Sequence, residues 1–130
     1  MDIEQFYSRM VFNCVAVNQD DHVKNISFLM DRSGKWRLSP AYDITYSYDL
    51  TNKWLSAHQM TINGKKSDIS LADLLIAGEK MGLKKKKCMD IISKISLVVS
   101  NFDSYAEEAN IREKTYSEIK KILELNRVKM

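Results

Sequence analysis

Apolar residues recur three and four positions apart at the start of the chain: Ile3, Phe6, Tyr7, Met10, Cys14 and Val17. That spacing predicts a helix over residues 3–17 with one face turned to a core. Val11, Phe12, Val15 and Ala16 spread the apolar character to the other faces, so the second half should be buried. The pattern stops at Asn18, and Asn18-Gln19-Asp20-Asp21-His22-Val23-Lys24-Asn25 follows as a polar loop. Two short runs, 26–30 and 35–38, then read as strands joined by Asp31-Arg32-Ser33-Gly34. Asp31 is a turn former and Gly34 can take positive φ, so the unit is a β-hairpin. Pro40, the only proline, biases Ser39 toward an extended shape and ends the second strand.

Residues 44–57 show weak periodicity with scattered hydroxyls and aromatics (Tyr46, Tyr48, Trp54), which predicts an ordered loop. Met60-Thr61-Ile62 reads as a short strand closed by Asn63-Gly64. The remainder is helical. Ser70, with Asp73 three positions on, caps a helix to about Met81 that Gly82 closes. A second helix runs from about Lys84 to Phe102, with Cys88, Ile91, Ile92, Ile95, Val98, Val99 and Phe102 as its stripe. A third runs from about Arg112 to Asn126, with Tyr116, Ile119, Ile122 and Leu123 inward; Tyr105, Ala106 and Ala109 fall in the connection. The expected fold is α+β and mostly helical: a loop, a β-hairpin and about three C-terminal helices.

Composition changes this picture little. The chain has 130 residues, 45% apolar and 28% charged, with a net charge of +3, which fits one globular domain with a modest core. Much of the charge sits in Lys84 to Lys87, at a helix start and without interleaved aromatics. That reads as a solvated face, and direct nucleic-acid binding is not expected. Cys14 and Cys88 lie in apolar-periodic stretches, as buried free thiols do, with no zinc or disulfide spacing. No segment reaches the ~18 apolar residues of a membrane span, and Asp2 and Glu4 argue against a signal peptide, so a cytoplasmic setting is expected.

The polar loop carries the chemistry. An Asp followed five positions later by an Asn is the spacing of a protein-kinase catalytic loop, where the Asp takes the proton of the attacking hydroxyl and the Asn holds magnesium. A further Asp beyond a strand pair supplies another metal contact. Asp20, Asn25 and Asp43 stand in that order, and the hairpin would bring both metal-binding segments to the same end. Hard oxygen donors of this kind suit Mg2+. Asp21, next to Asp20, should point away from it and take no catalytic part. His22 is expected to hold the loop's shape, and Lys24 either meets a phosphate or is solvated. His58 has no partner that the sequence names.

Asp20-Asp21-His22-Val23-Lys24-Asn25-Ile26-Ser27-Phe28-Leu29, Trp36-Arg37-Leu38-Ser39-Pro40-Ala41-Tyr42-Asp43 and His58-Gln59-Met60-Thr61-Ile62-Asn63-Gly64-Lys65 resemble the C-terminal part of HipA-like serine/threonine kinases, the toxins of bacterial toxin–antitoxin pairs. The likeness runs in order over much of the chain, from about residue 5 to 125. It implies ATP as phosphoryl donor, Mg2+ as cofactor, a protein hydroxyl as acceptor and a helix-turn-helix antitoxin as partner. It also implies a glycine-rich N-lobe that clamps the nucleotide. Gly34, Gly64, Gly78 and Gly82 all follow the loop and form no such clamp. Residues 1–130 therefore read as a single HipA-like C-terminal kinase subdomain, expected to be inactive without an N-lobe in cis or on a separate chain. The alternative is a non-catalytic domain that binds an antitoxin or another protein.

Overall fold

The computed structural model describes residues 2–128. The first helix, α1 (Asp2–Val15), opens with Asp2 and Glu4 in its first turn, where acidic groups complement the helix dipole. It ends two residues earlier than the apolar spacing suggests. Val17 takes a left-handed φ of 56°, and the Asn18 N–H donates back to the Asn13 carbonyl at 2.9 Å, closing the helix in a Schellman-type turn. Val17 stays buried, so the burial read from its position survives although its helical conformation does not.

The hairpin is present but short. Strand β1 (Phe28–Met30) pairs antiparallel with β2 (Trp36–Leu38), with Phe28 opposite Leu38 and Met30 opposite Trp36. Asp31 builds the turn: its Oδ1 accepts from the Ser33 N–H at 2.8 Å and the Lys35 N–H at 3.0 Å, and Gly34 adopts φ 85°. The base is tied to α1, where the Asp2 carboxylate accepts from the Arg37 guanidinium at 3.1 Å and from the Leu38 N–H at 3.1 Å. Ile62 and Lys65 form only an isolated bridge, so the expected strand at 60–62 shrinks to a tight turn. Asn63 (φ 51°) and Gly64 (φ 77°) both have positive φ there, the geometry that an Asn-Gly pair favours.

Helix α2 (Leu71–Lys80) has the capping box anticipated at Ser70 and Asp73. Gly82 (φ 85°) closes it, with the Leu83 N–H reaching the Gly78 carbonyl at 2.9 Å. Helix α3 (Lys85–Ser100) follows, with Lys84 to Lys87 exposed. The connection after it holds a helix of its own, α4 (Phe102–Glu108), so four helices rather than three follow the hairpin. Its C-terminal turn uses Asn110 at φ 53°, with the Ile111 N–H reaching the Ala106 carbonyl at 3.3 Å. Phe102 starts this helix instead of ending α3.

The core lies between α1, α2 and α3. Tyr7, Val11, Leu74, Cys88 and Ile92 are fully buried in it, and the Tyr7 hydroxyl donates to the Leu74 carbonyl at 2.8 Å. Helix α5 (Glu113–Leu125) contributes no buried residue. Tyr116, Ile119, Ile122 and Leu123, expected inward, are only half-buried. The helix rests on α4 through stacked Phe102 and Tyr116 rings 5.8 Å apart, with Lys120 paired to Asp103 at 3.2 Å. Both cysteines are buried free thiols. Among the described residues no helix is long and apolar enough to cross a membrane.

Candidate functional site

The polar loop leaves α1 in a conformation that costs energy. A left-handed φ is unfavourable for a β-branched residue such as Val17, and such outliers persist only where the surroundings enforce them. Here the enforcement is visible. The Ser47 N–H donates to the Val17 carbonyl at 3.0 Å and the Gln19 N–H donates to the Ser47 carbonyl at 2.9 Å. This parallel bridge stitches the loop's entry to the segment just beyond Asp43.

The loop's exit is a single 3-10 turn at Val23–Asn25. The Asn25 Nδ2 donates to the Asp20 carbonyl at 3.1 Å, so the five-residue spacing closes the loop on itself. The amide's Oδ1 is thereby left for another partner. Across from it the Tyr42 hydroxyl donates to the Lys24 carbonyl at 3.1 Å, holding the Pro40–Asp43 segment against the loop. Asp43 itself has φ 52°, a conformation that Asp tolerates better than most residues.

Asn25, Asp43, Asp21 and His22 line one cleft of about 180 Å3, floored by Phe6, Met10 and Ile62. The side chains brought together are thus Asn25 and Asp43, as the hairpin argument requires. Asp20 is not in the lining. Its carboxylate is 43% exposed and lies 3.8 Å from the His22 Nε2, at the side of the cleft. Lys24 is exposed and makes its one contact here through its backbone. His22 is half-buried, with its Nδ1 enclosed and without a partner.

The donor set has the chemistry of a magnesium site. Asn25 offers an amide oxygen, and the Asp43 carboxylate makes no hydrogen bond or ion pair among the described residues. Two hard oxygens on one cleft fit Mg2+, which keeps several waters and shares its shell with phosphates. They do not form a cage: among the described residues no three His, Cys, Asp or Glu side chains converge.

Two contacts around this site have no signal in the sequence. Asp21 turns inward and is buried, and its Oδ2 meets the His58 Nδ1 at 2.9 Å while its Oδ1 accepts from the Gln59 N–H at 2.8 Å. Neither this pair nor the Ser47 bridge follows any periodicity. The partners lie 37 residues apart in the first case, and only chain folding brings them together.

The family described as the HipA-like C-terminal domain matches residues 1–102. The chain belongs to the HipA-like C-terminal domain family. The family is kinase-related and connects the chain, at a coarse level, with toxin–antitoxin proteins. The match spans α1 to the start of α4, so it includes the loop, the hairpin and the whole cleft of this HipA-like domain. No curated protein matches the chain.

Proposed function

We propose that this HipA-like domain carries the magnesium-binding and proton-accepting half of a serine/threonine protein kinase site, with ATP as donor and a protein hydroxyl as acceptor. One observation carries the reading: Asn25 and Asp43, on opposite sides of the hairpin in sequence, line one cleft beside the Asp20 loop. Bound magnesium would neutralise charge on the ATP phosphates during transfer.

The chain's own residues have distinct parts in this reading. Asn25 and Asp43 hold the metal–phosphate end of the nucleotide. Asp20, exposed beside them, orients the acceptor hydroxyl and accepts its proton; in a largely dissociative transfer that proton moves late, so an ordinary carboxylate suffices. Lys24 stands exposed on the same loop, where its ammonium can meet a phosphate as a point charge. Groups that clamp the nucleotide from the opposite side would come from an N-lobe in cis or on another chain. A helix-turn-helix antitoxin is the partner, and the cytoplasm the setting, that go with this reading.

A second reading, a non-catalytic interaction domain, is favoured by the hairpin. Phe28, Met30 and Trp36 share one face and are each more than half exposed, and apolar clusters of that kind mark contact surfaces.

Calorimetric titration of the chain with ATP and Mg2+, beside Asp43→Asn, separates the two. The kinase reading expects metal-dependent binding that the variant loses. A folded chain that binds no nucleotide at any magnesium concentration would favour the interaction domain.

A further inference from the structure

The loop that carries Asp20 is held by a residue far along the chain. Asp21 is 8% exposed and His58 is 4% exposed. The carboxylate receives two donors, the His58 ring and the Gln59 N–H, at 2.9 and 2.8 Å. A carboxylate in this position pairs with the His58 tautomer that carries its hydrogen on Nδ1.

His58 is itself fixed. Its N–H donates to the Lys66 carbonyl at 2.9 Å. Within the same 58–66 segment, the Asn63 amide and the Lys65 ammonium both reach the Asp73 carboxylate at 2.9 Å. Asp73 is the N3 member of the α2 capping box, whose N-cap is Ser70. Hydrogen bonds, joined through the Lys65–Lys66 backbone, therefore link the first turn of α2 to the Asp21 carboxylate.

We propose that His58 is a positioning residue for the Asp20 loop. By holding the buried Asp21 side chain, it fixes the stretch of backbone from which the 43% exposed Asp20 carboxylate projects at the side of the cleft. Asp20 and Asp21 share a peptide bond, so fixing the Asp21 side chain restrains the backbone that carries Asp20. The Asn25 amide holds the same peptide through the Asp20 carbonyl, and His58 holds it through the Asp21 carboxylate. The importance of this for phosphoryl transfer rests on the kinase reading of Asp20; the anchoring of the loop does not.

The test compares His58→Leu, which removes the donor, with His58→Asn, whose amide nitrogen can stand near the place of Nδ1. Amide hydrogen exchange is followed in the full chain over residues 18–25 and in α1 and α3, and Mg·ATP affinity is measured alongside. His58→Leu should speed exchange in 18–25 tenfold or more with α1 and α3 unchanged, and should weaken any Mg·ATP binding. His58→Asn should restore most of both.

Exchange in 18–25 that stays at the wild-type rate in His58→Leu overturns the proposal. So does exchange that rises equally in all three regions, or an Asn variant no different from Leu. Wild-type chain that fails to bind Mg·ATP counts against the kinase reading alone, because the exchange comparison still decides the anchoring.

Discussion

Gly78 on α2 faces Cys88 on α3 with no room for a methyl group between them: a Cβ at Gly78 would lie 2.3 Å from the Cys88 Sγ and 3.0 Å from the Tyr7 ring. Three helices converge at this point, and the missing side chain is what lets α2 approach α1 and α3. An alanine would gain about 1 kcal/mol of helix propensity but would overpack a closed core, at about 1–3 kcal/mol. With contacts this short the second effect wins. Gly78→Ala should lower the unfolding free energy by up to about 2 kcal/mol in a denaturant titration. Adding Cys88→Ala, which removes the clashing sulfur, should recover part of the loss.

The Tyr7 hydroxyl donates to the Leu74 carbonyl at that same helix junction. Burial pushes the phenol well above its ordinary value, so it remains a donor throughout the working pH range. Tyr7→Phe leaves a carbonyl already bonded within its helix and removes one buried bond. The expected cost is about 1 kcal/mol, read as a shift of the urea midpoint with an unchanged slope.

Asp73 makes stability depend on acid. The Ser70 N–H, the Asn63 amide, the Lys65 ammonium and the Ser70 hydroxyl all donate to its carboxylate and hold it far below 3.8. A depressed folded-state value stabilises the chain fully above the unfolded value, near pH 4, and the contribution is lost as pH falls below it. Melting temperature should therefore decline between about pH 4 and pH 2. Asp73→Asn should melt lower at neutral pH and show a shallower decline; an unchanged acid slope would remove Asp73 as its source.

The two thiols should be silent in the native chain. Burial, then the Asp21 and Asp73 charges, pushes Cys14 up to about 12 from 9.0, and Cys88 is fully enclosed. The thiolate is the reactive species. At pH 8 a disulfide reagent should label the folded chain many times more slowly than the urea-unfolded chain, which should release both equivalents at once. Rapid native labelling would contradict the packing of α1 on α3.

Substitutions in the cleft should divide by role. Asp20→Asn should leave Mg·ATP affinity within about threefold, because this residue is assigned to the hydroxyl and not to the metal. Asp43→Asn should weaken it tenfold or more, as removal of a charged oxygen ligand does. Transfer to a protein substrate, once the nucleotide clamp is supplied, should fall by at least about 100-fold in both. Equal loss of nucleotide affinity in the two variants would place Asp20 among the metal-holding groups.

Much of this was legible from local pattern. The Asp31–Gly34 turn, the Ser70/Asp73 cap, the Gly82 stop and the inner apolar positions of α1 and α3 are each set by neighbours within a few positions, whereas Ile3 and Val98, expected on those stripes, are exposed because no element packs over them. The Asp20/Asn25 spacing belongs with these, since its amide-to-carbonyl bond closes within one loop. Val17 and the α4 segment went astray for a related reason. Periodicity records which side chains are buried, and both Val17 and Ala106 are, but it does not record the backbone conformation that buries them.

By itself, then, the sequence determined most of the element types, though not α4 or the turn at 60–65, together with the caps and turns and the loop with its candidate chemistry. Tertiary structure decided the rest: that Asn25 and Asp43 share a cleft, that Ser47 holds Val17 in a strained turn, and that His58 anchors Asp21. It also decided that α5 lies outside the main core. Each of these depends on residues far apart in the chain meeting at hydrogen-bond or van der Waals distance. Such meetings are fixed by the joint packing of several helices, a property that no single stretch of sequence possesses.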